Sequence, residues 1–354
     1  MNRILSSQGI GLDQAVGRTS ARLVLAVMLA GAAFPSQALE DSTRLNAVNA
    51  TITGNQACTG LSKFYWEIGD KVGGVGHVWS GTGGGTGTAP TASQQIPIYS
   101  AGKWFWGAYA YERLGGLVFD GTPHDKFLTM HSGFDARPLL YTCAQQDTVE
   151  SCRASMPKFQ QAKQDSFFYG SGHFQNHAVS AAFKAYPTLE GLGPLNKEDL
   201  ATEMQRVLGT DIVLSYNAPQ LAGGAKSSAT DYAKFLRKIL NAQLRMGSGL
   251  GDLPVCTSKQ VESTCLVGYS PVNDPLAGLQ EPWHYSLGHW LEDAPGIGDR
   301  AFSSPGAAGF YPWIDASKTY YGILARNVVG TTSAGNSVKC GRKIRAAWLT
   351  GNQQ

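Results

Sequence analysis

Hydrophobic positions change their spacing twice along this chain, and the changes divide it into three stretches. Residues 61–80, LSKFYWEIGDKVGGVGHVWS, carry aromatic and β-branched residues interrupted by Gly-Asp-Lys and Gly-Gly, which predicts antiparallel strands joined by turns. The glycine-rich GTGGGTGTAP that follows reads as a loop, and it lacks the Gly-Lys-Ser/Thr that grips a phosphate. From Ile98 to Val118 the run IYSAGKWFWGAYAYERLGGLV is apolar on most faces, as in a helix buried inside a molecule, with Ser100 at its start. Residues 119 to about 250 mix polar loops with helical patterns. The clearest is SATDYAKFLRKILNAQL, where Ser228 or Thr230 is the candidate cap and Tyr232, Phe235, Leu236 and Ile239 recur at helical spacing. After Pro282 the strand pattern returns in WHYSLGHWLE, GAAGFYPWIDA and TYYGILARN, and a last helix is predicted over Lys343–Leu349. The fold class is therefore α+β, an antiparallel sheet flanked by helices. One α/β lobe is built from both chain ends, about 45–118 and 266–354, and a helical lobe from about 119–265.

The N-terminus decides which residues count toward that fold. Arg3, Arg18 and Arg22 precede the apolar run Leu23–Phe34, too short to span a bilayer, and Ser36-Gln37-Ala38 supplies small residues at the spacing a signal peptidase reads. Residues 1–38 thus read as a secretory signal, and 39–354 as a single catalytic domain of a periplasmic or secreted protein. No later apolar run is long enough to cross a membrane.

Charge narrows the partners without naming one. The net charge is only +3 and no Lys/Arg cluster is interleaved with aromatics, which speaks against nucleic acid. The six cysteines follow the signal, and an even number in an exported chain suggests disulfides. Six thiols allow about fifteen pairings. Cys143 with Cys152 and Cys256 with Cys265 would each staple a short polar loop, which leaves Cys58 with Cys340 to tie the start of the mature chain to its end. No Cys-x-x-Cys is present to seed a zinc cluster. His173 and His177 are four apart, but no glutamate follows the first, so they read as ordinary helix residues and no metal is expected.

Chemistry enters at Ser100 and Lys103. A serine hydroxyl needs a base, and a lysine serves only if burial or positive neighbours lower its pKa. Residues three apart share a helix face, so the Lys103 amine can reach the Ser100 oxygen among Trp104, Phe105, Trp106 and Tyr109. The same spacing occurs at Ser155-Met156-Pro157-Lys158, where proline and polar neighbours indicate a loop. Gly-x-Ser-x-Gly is absent, against a nucleophile elbow. Trp283, His284 and Trp290 could line a cleft, although aromatic strand residues are more often core.

Four segments in order resemble one family. IYSAGKWFWGAY is similar to the nucleophile segment of the serine β-lactamase-like superfamily, which includes penicillin-binding proteins, class C β-lactamases, D-alanyl-D-alanine carboxypeptidases and related esterases. KFLTMHSGFD at 126–135 resembles its Leu-Thr-His-x-Ser-Gly turn, with His131 structural. LAGGAKSSATDYAKFL at 221–236 resembles its Gly-Gly-x-x-Ser-x-x-Asp helix start, and FSSPGAAGFYPWIDASKTYYGILARN at 302–327 its third-motif strand pair. The resemblance runs over about residues 60–350.

That resemblance implies a β-lactamase/transpeptidase-like fold and a Ser-Lys-Tyr acyl-enzyme mechanism without a cofactor. The implied substrate is a small-molecule or peptide ester or amide: a β-lactam, a D-alanyl peptide or a carboxylic ester. In DSFFYGSGHFQNHAV it assigns the proton-relay tyrosine to Tyr169, with Ser171 in place of the family's asparagine; Tyr216 lies too close to Gly223-Gly224 for the family's order. It places Ser304-Pro305-Gly306 at the third motif, where a serine replaces the usual cation, and it makes the N–H groups of Ser100 and Ala307 the oxyanion hole. Ser171, Ser304 and Gly306 would then face the substrate of a monomeric enzyme. The two departures also leave open a binding or sensor module that kept the fold.

Overall fold

The computed structural model describes residues 39–71, 76–136, 143–184, 191–260 and 262–354. The expected signal, residues 1–38, lies outside the described residues, and Leu39–Gln354 forms one compact unit. In chain order the helices are α1 (Asp41–Gly54), α2 (Gln56–Thr59), α3 (Gly102–Arg113), α4 (Asp125–Leu128), α5 (Val149–Ala154), α6 (Gly172–Val179), α7 (Ala181–Lys184), α8 (Lys197–Leu208), α9 (Ala229–Leu240), α10 (Met246–Gly249) and α11 (Ser333–Thr350). The strands are β1 (Phe64–Asp70), β2 (Val78–Gly83), β3 (Ile96–Pro97), β4 (Phe167–Phe168), β5 (Ser215–Tyr216), β6 (Ala225–Ser227), β7 (Val255–Cys256), β8 (Val267–Tyr269), β9 (His284–Ser286), β10 (His289–Glu292), β11 (Ala301–Ser303), β12 (Tyr311–Ile314) and β13 (Tyr320–Ala325).

Eight strands form one antiparallel sheet in the order β2-β1-β13-β12-β11-β10-β9-β7. Side chains alternate across a strand, so neighbours on β13 report the two faces. The Tyr320 ring meets Trp348 of α11, whereas the Tyr321 hydroxyl meets Arg237 of α9. The sheet is thus sandwiched between α1 and α11 on one side and α9 on the other. The run of Trp, Phe and Tyr on α3 is buried all round because α3 lies inside the molecule, with Trp104 stacked on His289 of β10 at 5.4 Å.

The pattern-based elements differ from the observed ones in two places. The glycine stretch begins as the end of β2, with Gly81, Thr82 and Gly83 opposite Trp66, Tyr65 and Phe64. The last helix starts ten residues earlier than its apolar pattern, because Ser333, Gly335, Ser337 and Cys340 are small enough to pack without one. In the middle stretch α9 packs on β13 and β1, and the short strand β7 joins the large sheet. Ser228 caps α9, its Oγ accepting from the Asp231 N–H at 3.0 Å.

The two ends are clasped together. Disulfides join Cys58 to Cys340, Cys143 to Cys152 and Cys256 to Cys265. The first anchors α2 to α11, beside hydrogen bonds from Arg44 to the Trp348 carbonyl and from Asn55 to the Gln354 carbonyl. Among the described residues, no helix is long and apolar enough to cross a membrane.

Candidate active site

Ser100 lies in a single 3₁₀ turn, Tyr99–Ala101, wedged between β3 and α3. The segment is held from three sides. The Ile98 N–H donates to Ala225 of β6 at 3.1 Å, the Tyr232 hydroxyl of α9 donates to the Ala101 carbonyl at 2.8 Å, and the Ser304 hydroxyl donates to the Ser100 carbonyl at 3.0 Å. Tyr99 is held at φ 48°, a left-handed conformation rare for a bulky residue and typical of strained functional turns.

One helical turn on, Lys103 Nζ donates to Ser100 Oγ at 3.0 Å and to the Ala222 carbonyl at 3.0 Å. The lysine is fully buried, and among the described residues no carboxylate is a hydrogen-bond or ion-pair partner. Burial therefore lowers its pKa from the usual 10.5 to about 7, because the charged form loses its hydration. Nζ also lies 4.5 Å from the ring centre of Tyr169.

Tyr169 follows β4 and is positioned through its backbone and ring. Its N–H donates to Tyr269 at 2.9 Å, and its ring stacks on Trp290 at 5.1 Å and meets Tyr285 edge-on at 5.8 Å. Burial pushes the phenol pKa above its usual value, opposed by side-chain hydrogen bonding with Ser100 and Trp290. Behind it, His173 Nε2 contacts the Phe168 carbonyl at 2.8 Å and Nδ1 contacts Ser132 Oγ at 2.6 Å. A carbonyl can only accept, so Nε2 carries the proton and Nδ1 accepts from Ser132. Burial holds that imidazole neutral, with its pKa lowered to about 3.

Ser100 and Tyr169 open on a cavity of about 350 Å³, which Ala307 also lines. The loop before Ala307, the second expected oxyanion-hole donor, lies against the segment before Ser100: a Cβ on Gly306 would sit 2.1 Å from the Ile98 carbonyl. The Gly306 N–H is spent on Phe310, while the N–H groups of Ser100 and Ala307 have no backbone acceptor among the described residues.

Ser304 and Ser171, both expected to face the substrate, are not among the residues lining the cavity. Ser304 is buried with its hydroxyl turned to the Ser100 carbonyl, and it does not line the cavity. Ser171 is also buried; it opens α6 and its Oγ accepts from Gln220 at 3.3 Å. The Ser304 hydroxyl is thus paired with a backbone carbonyl and the Ser171 hydroxyl with a side-chain amide. Gly306 acts by its lack of a side chain.

The alternatives also separate. Tyr216 is buried in β5 away from the cavity. Ser155 donates to the Cys152 carbonyl at the end of α5, with Lys158 exposed. His131 meets the Thr129 carbonyl, and His177 pairs with His124 at 3.0 Å in a buried contact. No group of three or more metal-ligating side chains occurs among the described residues. Trp283 is core, His284 pairs with Asp293, and Trp290 lines the cavity. Pattern reasoning passed over Tyr99 of the 3₁₀ turn, Tyr269 at the end of β8, and Val272, Leu279 and Val329 from loops that carry no periodic signal, all of which line the cavity.

No family model matches the chain, and no curated protein matches its sequence. Solved structures do match. A β-lactamase-like protein from Bacteroides dorei superposes with a TM-score of 0.59 at 17% identity over 86% of this chain and 98% of its own. Simvastatin synthase from Aspergillus terreus gives 0.58 at 13% identity over 90% and 100%. A D-stereospecific amidohydrolase from Streptomyces gives 0.54 at 14% identity over 89% and 100%. At these identities the likeness establishes the architecture alone: the chain has a β-lactamase-like α+β fold, as its four motif segments imply.

Proposed function

We propose that the chain is an exported serine hydrolase that cleaves an ester or amide through an acyl-enzyme on Ser100. The observation that carries this is the buried Lys103 amine at 3.0 Å from the Ser100 hydroxyl, with a pKa brought to about 7. In its neutral form the amine keeps one N–H on the Ala222 carbonyl and turns its lone pair to the serine proton.

Proton transfer to Lys103 frees Ser100 Oγ to attack the carbonyl carbon. The new C–O bond pushes an electron pair onto the carbonyl oxygen, between the N–H groups of Ser100 and Ala307. The ammonium formed on Lys103 rests against the face of the Tyr169 ring, which stabilises a cation. Collapse of the tetrahedral adduct breaks the bond to the leaving group, which departs with a proton delivered through Tyr169. Water then attacks the Ser100 ester, giving a proton to the Lys103–Tyr169 pair. Release of the acid returns the serine proton.

The names of the fold neighbours, a β-lactamase-like protein and an amidohydrolase, support hydrolysis. Three disulfides and a signal-like N-terminus support a periplasmic or secreted location, and the reading is of a monomer. The test is turnover of a p-nitrophenyl ester and of a chromogenic penicillin. The account expects turnover of at least one of them and a loss of 10³-fold or more in Ser100→Ala, on the order seen when a nucleophile is removed. Equal rates in the variant would refute it, and a stable penicillin adduct without turnover would assign the fold to binding instead.

A further inference from the structure

The cavity beside Ser100 is open enough to hold a substrate chain and carries a consistent chemistry. Among the described residues that line it none is charged; its polar side-chain groups are the hydroxyls of Ser100, Tyr99, Tyr169, Tyr269 and Thr331 and the indole N–H of Trp290. The rest of the wall is supplied by Trp290, Val272, Leu279, Val329 and small residues. Arg326, at the end of β13 before the loop carrying Val329, is directed into Ser337, Ser62 and the Ser333 carbonyl, and it does not line the cavity.

Two loops form the outer lip. The turn at 275–279 docks on the first turn of α11, where Gly335 lies so close to Ala277 that a Cβ would stand 2.4 Å from its carbonyl oxygen. The segment 328–331 leads into the same helix. Their tips expose Leu276 at 71% and Val329 at 82%, so the apolar character continues from the floor of the cavity to its mouth. An apolar lip continuous with an apolar cavity wall is a surface that the apolar part of a ligand can cover.

We infer that the substrate of this site is an uncharged ester or amide carrying an apolar chain, which fills the cavity between Trp290, Val272 and Leu279 and leaves past Val329. This deepens the hydrolase reading and rests on it. A substrate with a carboxylate near the scissile bond finds no cation on this wall to offset its lost hydration. Each methylene buried there lowers the barrier by an amount that corresponds to about a fourfold gain in kcat/KM. The chain belongs either to the acyl group or to the alcohol or amine released, and the experiment separates these.

The test uses the full-length protein with two ester series. One runs from p-nitrophenyl acetate to octanoate; the other runs from ethyl to octyl acetate, followed by acid release. A monoester of adipic acid supplies a charged chain. The inference expects kcat/KM to climb about fourfold per methylene in one series, assigning the chain to that side, and the adipate to react at least tenfold slower than the hexanoate. Leu279→Asp and the fully rim-exposed Val329→Asp should each reduce the octyl-to-ethyl or octanoate-to-acetate ratio tenfold or more, and Val329→Asp cannot disturb the core. Flat dependence in both series, or faster reaction of the adipate, overturns the inference while an acyl adduct on Ser100 keeps the hydrolase reading. Absence of an adduct on Ser100 with any of the esters overturns both.

Discussion

The amine of Lys103 stands over the face of the Tyr169 ring, 4.5 Å from its centre. The tyrosine therefore offers two separable things to the site: a π-face that favours a cation on Lys103, and a phenol that faces Ser100. The two can be removed one at a time. Tyr169→Phe keeps the face and loses the hydroxyl, so kcat should fall by about 10²–10⁴, the usual contribution of a positioned acid or base, with the acid limb of the pH profile unmoved. Tyr169→Leu also loses the face. The Lys103 cation then becomes less favourable, and the acid limb should shift to lower pH by roughly half to one unit, the equivalent of a ~1 kcal/mol cation–π contact. Stopped assays across pH 5–9 read both effects.

The buried Lys103 has a thermodynamic signature of its own. Its pKa is about 7 in the fold against the usual 10.5, so between those values the unfolded chain holds a proton that the folded chain does not. Stability contributed by this position therefore falls as pH drops from 10.5 toward 7, and the penalty is complete below 7. Lys103→Met should be inactive yet more stable by a few kcal/mol at pH 6, and the gap should close by pH 10. Urea unfolding of both proteins at the two pH values checks it.

His173 is a positioning residue for Tyr169. It anchors the Phe168 carbonyl, the residue before the tyrosine, and is itself fixed by Ser132. His173→Leu takes this partner from the part-buried Phe168 carbonyl and the buried Ser132 hydroxyl, which should cost about 2–4 kcal/mol. It should lower kcat by about 10²-fold through misplacement of Tyr169, with little change in KM. Since the imidazole ionises only near pH 3, the acid limb assigned to Lys103 should persist in the variant.

The Cys58–Cys340 bridge closes nearly the whole described chain, with a sequence separation of 282. Its removal in Cys58→Ser/Cys340→Ser frees both ends in the unfolded state. The double variant should lose about 2–5 kcal/mol, read as a lower urea midpoint, and the loss should match that caused by reduction of this bridge in the wild-type protein.

Much of this arrangement is legible in the sequence where chemistry is local. Ser100 and Lys103 share a helix face by spacing alone, and Ser228 announces its helix by capping. Aromatic and β-branched runs broken by turn residues locate the strands that the two ends of the chain contribute to the large sheet. Helix α11 is longer than its pattern because close packing against the sheet and α1 selects small residues there, which erase the apolar period. Ser304 and Ser171 resemble the family's substrate-contacting positions in order, yet a hydroxyl turns toward whichever acceptor or donor the tertiary structure brings nearest. For Ser304 that is the Ser100 carbonyl, 204 residues away in sequence. The cavity lining was illegible for a related reason. Tyr269 ends the short strand β8, Leu279 and Val329 come from loops, and the docking of the 275–279 turn on α11 brings Leu279 to the wall they share.

The most direct measurement of the central claim is the intact mass of the protein after a brief reaction with an activated ester, followed by peptide mapping. The account predicts a single acyl group, carried on Ser100, formed faster as pH rises through 7 and absent from Ser100→Ala. An acyl group mapped to any other residue, or one that forms as readily in Ser100→Ala, would contradict it.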